Sequence, residues 1–154
     1  MELNNIKYYF IKKDLERGGN DMLVPPYMIE TKYYIKEIEE TDRYTAYGNF
    51  LDRFRGCDGE GKGRKLQEYI IKDKPIDSNK YPIELVVIAA TVEVLAKERN
   101  MKIPSWVYDG DCYLEEAYYA GAKIPEYRKL LEDTAIPEFK KRKLYLGDNC
   151  MSRA

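Results

Sequence analysis

Residues 83–96 read Ile-Glu-Leu-Val-Val-Ile-Ala-Ala-Thr-Val-Glu-Val-Leu-Ala, and apolar side chains would line every side of a helix formed from them. A surface helix keeps a polar face at 3.6-residue spacing, and this run has none wide enough to meet water. The rest of the chain must therefore wrap it. The spacing predicts a central helix over 82–99, buried by its neighbours. It also predicts an all-α fold in which shorter helices form a compact array around that helix. The run falls short of the roughly 18 consecutive apolar residues that span a bilayer, so it reads as core and not as membrane. At 154 residues the chain is most simply one helical domain, long enough to bury such a core.

Proline marks where the shorter helices begin. Its missing N–H costs nothing in a first turn, and Pro26, Pro82, Pro104, Pro125 and Pro137 each precede a segment that can be helical. Pro75 follows Ile70-Ile71-Lys72-Asp73-Lys74 and ends one. Three starts are alike: Ile103-Pro104-Ser105-Trp106, Ile124-Pro125-Glu126-Tyr127 and Ile136-Pro137-Glu138-Phe139. Each sets an aliphatic residue outside the helix and an aromatic one in its first turn, a pair able to pack as a hydrophobic staple does. Their unequal separation argues against a solenoid. Periodicity predicts helices over 3–17, 27–40, 43–55, 64–73, 111–119, 125–133 and 137–143, with a glycine-rich loop over 56–63. Strand competes over 27–40, where tyrosine and isoleucine favour it. Residues 1–40 either dock on the core or form a separately packed N-terminal arm.

The chain contains no histidine. That removes the usual general base at neutral pH, His-based metal sites, and Ser–His or Cys–His nucleophile pairs. Carboxylate, lysine or tyrosine chemistry stays open, so an enzyme is disfavoured and not excluded. A net charge of −1 weighs against a chain whose main business is coating nucleic acid. Cys57, Cys112 and Cys150 are odd in number and far apart, which fits reduced thiols better than a disulfide framework. Met1-Glu2-Leu3-Asn4-Asn5 has neither the basic start nor the apolar core of a signal peptide, and the expected compartment is the cytoplasm.

Four features invite a functional reading. Gly56-Cys57-Asp58-Gly59-Glu60-Gly61-Lys62-Gly63 resembles the start of a phosphate-binding loop. Yet Gly63 stands where a Ser or Thr hydroxyl should reach magnesium, Asp58 and Glu60 would repel phosphate, and the preceding residues have helical spacing. A turn between helices is the better account. Lys140-Lys141-Arg142-Lys143, with Arg153 close by, could touch nucleic-acid phosphates or an acidic partner. The plainer account, a solvated last helical turn that complements the helix dipole, carries more weight because no recognition helix accompanies the cluster. Lys62, Arg64 and Lys65 form a weaker basic patch. Asp109, Asp111, Glu115 and Glu116 hint at a metal, but Glu115 and Glu116 point about 100° apart on a helix. A surface acidic patch with an N-cap role for Asp109 or Asp111 fits better. Finally, 15 tyrosines include the pairs Tyr33-Tyr34 and Tyr118-Tyr119. Adjacent helical residues cannot both face one core, so one of each pair turns toward the rim, as interface or as core-edge packing. Trp106 reads as core.

Gly48-Asn49-Phe50-Leu51-Asp52-Arg53-Phe54, Lys97-Glu98-Arg99-Asn100-Met101-Lys102-Ile103-Pro104-Ser105-Trp106-Val107, Tyr113-Leu114-Glu115-Glu116-Ala117-Tyr118-Tyr119 and the stretch from Ile136 to Leu146 with its Met151-Ser152-Arg153-Ala154 ending resemble a broad set of small helical bacterial proteins. Some of that set carry an added helix-turn-helix. Some are encoded beside nucleotidyltransferase-like proteins in pairs resembling toxin–antitoxin modules. The resemblance covers residues 45–154, and its most specific part is the C-terminal tail. It implies an antitoxin-like or regulatory partner protein, with no catalytic, metal or cofactor-binding residues. The first 40 residues depart from the set and show no helix-turn-helix, which weighs against direct DNA recognition. The expected function is therefore a non-enzymatic protein-interaction or regulatory role with a protein partner. A nucleic-acid-binding regulator using Lys140 to Lys143 is the alternative.

Overall fold

A computed structural model of the chain describes residues 30–58, 61–121 and 123–152. The helix expected over 3–17 lies outside them, as do Met28 and Ile29 of the next one. The fold is all-α: helices dominate the described residues, and a single short strand pair departs from them. The chain divides into two compact units, Met1–Ile76 and Asp77–Ala154.

In the first unit a 3-10 turn over Thr31–Tyr33 leads into α1, Tyr34–Glu40. Helix wins over strand here because Tyr34, Ile35 and Ile38 fall on one buried face. Asp42 then starts α2, Arg43–Arg55. Its carboxylate accepts from the Thr45 backbone N–H and hydroxyl, each at 2.8 Å, and satisfies one of the helix's free first-turn donors. Those bonds hold the Asp42 carboxyl below its ordinary range. Ala46, Phe50, Leu51 and Phe54 form the buried stripe.

Helix α3, Gly61–Ile71, begins earlier than its apolar pattern suggests. Of the glycines that mimic a phosphate loop, Gly63 serves a tight corner between α2 and α3. A Cβ on Gly63 would lie 2.1 Å from the Cys57 carbonyl oxygen, so only glycine fits. Gln67, from α3, bridges the corner by donating to the Phe54 carbonyl at 2.9 Å and to the Asp58 carboxylate at 2.7 Å. At the far end of α3 the Thr31 hydroxyl lies within hydrogen-bond range of two carbonyls, Ile70 at 2.9 Å and Asp73 at 2.7 Å.

The second unit is organised by α4, Pro82–Glu98, with proline in its first turn. Leu85, Val86 and every residue from Ile88 to Ala96 are buried, as an all-round apolar helix requires. It packs on 3-10 turns over Ser78–Lys80, Ser105–Tyr108 and Gly110–Cys112. It also packs on the single helical turn of Pro137–Lys140. Trp106 and Val107 are buried, and Trp106 is core as expected.

Two expectations fail in this unit. Residues 111–119 are not a helix: they hold the turn over Gly110–Cys112 and the strand β1, Tyr118–Tyr119. The segment's backbone donors are claimed from a distance. Leu114 N–H bonds the Arg142 carbonyl, Tyr118 N–H the Lys143 carbonyl and Ala120 N–H the Tyr145 carbonyl. Tyrosine suits a strand once such a partner exists. The helix expected over 137–143 also stops early. After α5, Pro125–Thr134, the short α6, Pro137–Lys140, ends in a turn. Lys143 adopts the left-handed conformation, φ 61°, at the close of that turn. The chain then enters β2, Leu144–Tyr145, which pairs in parallel with β1 in the register Tyr118–Leu144 and Tyr119–Tyr145.

Candidate functional site

The basic run 140–143 splits: Lys140, Lys141 and Lys143 are exposed and Arg142 is not. Arg142 is 0% exposed. A helix of four residues leaves α6 with Phe139 buried, and the turn after it swings Arg142 inward beneath α4. There Glu93 waits, 1% exposed and the one charge in the most buried stretch of α4. Arg142 Nη1 donates to Glu93 Oε1 at 2.7 Å and to the Glu138 carbonyl at 2.8 Å, while Nη2 donates to the Val107 carbonyl at 2.9 Å. Its guanidinium also lies 4.8 Å from the centre of the Tyr113 ring.

The other carboxylate oxygen of Glu93 is equally crowded. Tyr108 donates to Oε2 at 2.8 Å and Lys141 at 2.6 Å, with Lys97 at 3.4 Å. Lys97 is shared with Glu138, also at 3.4 Å. Burial alone would push the Glu93 carboxyl up, but the hydrogen bonds from Lys141, Arg142 and Tyr108 outweigh it and hold the group at about 2. The same arrangement, burial first and then the bond to Glu93, raises the Tyr108 hydroxyl. These ionised groups tie α4, α6 and the 105–108 turn together, although Arg142 Nε is buried without a hydrogen-bond partner.

Arg142 is therefore withdrawn from any contact with nucleic acid, contrary to expectation, because its charge is spent on Glu93 and two carbonyls. Lys141 sits on Glu93, and Lys143 donates to the Glu115 carbonyl at 2.8 Å. Lys140 is exposed, and Arg153 lies outside the described residues. In the weaker basic patch Arg64 pairs with Glu68 at 3.8 Å, and nothing of the Lys62 side chain is described.

The tyrosine pairs divide. Tyr34 is buried against Phe50 and is core, which corrects its reading as an interface aromatic. Tyr33 is half-buried, as the helical argument requires. Tyr118 and Tyr119 lie on β1, and both are half-buried. Tyr119 stacks on Tyr145 at 4.8 Å, carries the Arg128 guanidinium 4.8 Å from its ring centre, and donates its hydroxyl to Glu132. That bond raises the Tyr119 hydroxyl.

A second buried carboxylate, Glu37 on α1, behaves in the opposite way. It accepts one side-chain bond, from Asn49 at 2.9 Å, with Arg53 near. Burial wins, and the group is pushed up to about 7. All three cysteines are free thiols, and burial pushes Cys150 up to about 11, away from the range of a reactive thiolate. Among the described residues no group of three or more Asp, Glu or Cys is placed to hold a metal ion. No described helix is long and apolar enough to cross a membrane.

The surface that stands out is α5, which sequence reading passed over. It has ten residues and buries only Leu131. Tyr127 and Leu130, three apart and so on one face, are 44% and 54% exposed. Ile124, at the N-cap, is 61% exposed. The signal was present: Tyr127, Leu130 and Leu131 give α5 more apolar residues than a single contact with its own unit can cover. No protein-family model, curated protein or solved structure matches the chain.

Proposed function

We propose that the chain is a non-enzymatic protein-interaction protein that binds a protein partner through the exposed face of α5. One observation carries this reading: Tyr127 and Leu130, with Ile124 at the N-cap, are exposed on a helix that buries only Leu131. Isolated helices shorter than about 12–15 residues are marginal in water, and contiguous exposed apolar surface marks interaction sites. A partner seated on this face would bury it. The resemblance to small helical bacterial proteins from two-gene modules supports the same role, with the chain as the antitoxin-like half and its partner a protein. The ion-pair network at Glu93, which joins α4, α6 and the 105–108 turn, fits a structural part better than a reactive one. The nucleic-acid alternative loses Arg142, while Lys140, Lys141 and Lys143 stay exposed.

The test is affinity capture of wild type and Leu130→Lys from the native cell, with and without nuclease. A stoichiometric protein retained by wild type through nuclease treatment and lost by the variant is expected. Recovery of only nuclease-sensitive material, or equal recovery by the variant, would sink the proposal.

A further inference from the structure

Glu37 lies on the buried face of α1 and is 2% exposed. Among the described residues one side chain donates to its carboxylate, Asn49 of α2, at 2.9 Å. A carboxylate that stays ionised out of water collects several donors, as Glu93 does. The groups around Glu37 supply little more. From α2, Arg53 favours the ionised form by its charge, but less than the Asn49 bond does. From the 31–33 turn come Tyr33 and Lys32, whose ammonium lies over the Tyr33 ring, 5.6 Å from its centre. On α1 itself Lys36 is exposed, and no basic residue stands in the last turn. Glu39 and Glu40 stand there instead, at the negative end of the helix dipole. Burial outweighs the two favourable contacts, which is why the carboxyl stands at about 7.

The helix that carries Glu37 has seven residues. That is too short to persist in water alone, so α1 depends on its contact with α2, where Tyr34 meets Phe50 edge-on at 6.3 Å. We propose that this contact is a proton-operated latch: with Glu37 protonated α1 lies on α2, and with Glu37 ionised α1 opens into water and uncovers Tyr34, Ile35 and Ile38. The proton leaves to solvent as the latch opens. The direction follows from which state holds it. An open α1 has Glu37 in water at the ordinary 4.5, and the closed one keeps the proton up to about 7. Closing is therefore firmest below pH 4.5, weakens as pH rises through that window and levels off above 7. The device belongs to the first unit, does not involve α5, and stands or falls independently of the interaction reading.

The experiment is hydrogen exchange on the full chain, followed by NMR from pH 5 to 8, with each rate corrected for the intrinsic pH dependence of exchange. The reporters are the N–H of Ile38, the N–H of Thr41, which bonds the Glu37 carbonyl at 2.9 Å, and those of Leu51 and Phe54 in α2. At every pH the Ile38 and Thr41 amides should be less protected than the α2 amides and insensitive to dilute denaturant, as a local opening requires. Their protection should fall on the order of a hundredfold between pH 5 and 8. Glu37→Gln keeps the shape and neutrality of the protonated carboxyl and should hold α1 closed across the range. Asn49→Ala removes the donor that favours the ionised form and should move the fall to higher pH. One opening shared by α1 and α2 overturns the latch. So does a fall that persists undiminished in Glu37→Gln, or no fall in the wild type.

Discussion

Two copies of one local pattern meet opposite fates in the second unit. Ile124-Pro125-Glu126-Tyr127 opens α5, and Ile136-Pro137-Glu138-Phe139 opens α6, each with an extended N-cap isoleucine and proline in the first turn. Phe139 is 1% exposed and Tyr127 is 44% exposed. The shorter helix is the better buried one, because α4 covers it and Arg142 grips its Glu138 carbonyl. The longer helix is tied to Tyr119 through Glu132 and Arg128 and keeps a single buried residue, Leu131. The motif sets where a helix begins. Coverage comes from elsewhere, and on α5 it is left for another molecule.

Each half of that contrast can be broken separately. The largest expected effect is Arg142→Ala, which strips Glu93 of its buried partner and leaves the Val107 and Glu138 carbonyls without a donor. Loss of about 3–5 kcal/mol is expected in chemical denaturation. Arg142→Lys should recover only part of it, since an ammonium cannot replace the guanidinium fork. A neutral Arg142→Ala would mean that α6 is buried without its clamp.

Next comes the direct comparison of aromatics. Phe139→Ala should cost about 3–5 kcal/mol through the cavity it leaves, and Tyr127→Ala should stay within about 0.5 kcal/mol. Similar losses at both positions would erase the difference between the helices.

The pH dependence sharpens the role of the clamp. Glu93 is depressed from 4.5 to about 2 in the folded state, so the unfolded chain binds the extra proton between those values. The stabilisation is complete above pH 4.5 and fades as pH falls toward 2, on the order of 3 kcal/mol in all. Glu37 in the first unit provides the opposite slope. Its folded value is raised from 4.5 to about 7, so the folded chain holds the extra proton and stability declines as pH rises through that window. Denaturation midpoints across pH should lose the acid slope in Glu93→Gln and the neutral slope in Glu37→Gln. An unchanged acid slope in Glu93→Gln would remove the ion pair from the account.

The smallest stability effect is expected at the exposed face. Leu130→Ser should shift the unfolding free energy by less than about 0.5 kcal/mol while abolishing partner capture. A large stability loss would show that Leu130 supports the fold of α5.

Much of the helical layout was legible in advance. The expected 43–55, 82–99 and 125–133 segments match Arg43–Arg55, Pro82–Glu98 and Pro125–Thr134 within a residue or so. Asp42, proline in first turns and apolar spacing are local signals that act within one or two turns of chain. The site was less legible. Glu93 between Val92 and Val94 announced that a cation had to reach it, because a buried charge needs a partner. Which of Lys140, Lys141, Arg142 and Lys143 would answer depends on where α6 stops and on the left-handed turn at Lys143. Neighbouring basic residues do not differ enough in sequence to reveal that. Residues 111–119 failed for a related reason: β1 exists because carbonyls at 142, 143 and 145 take its donors, more than twenty residues away.

By itself, then, the sequence determined the class of fold, the position of its buried helix and most helix starts. These follow from apolar periodicity, capping and the fixed φ of proline, all of which operate over a few residues. Tertiary structure decided which charge turned inward, which tyrosines formed a strand and which of two similar helices kept its apolar face in water. Those outcomes rest on hydrogen-bond partners and covering surfaces that lie far away along the chain, and no local pattern carries that information.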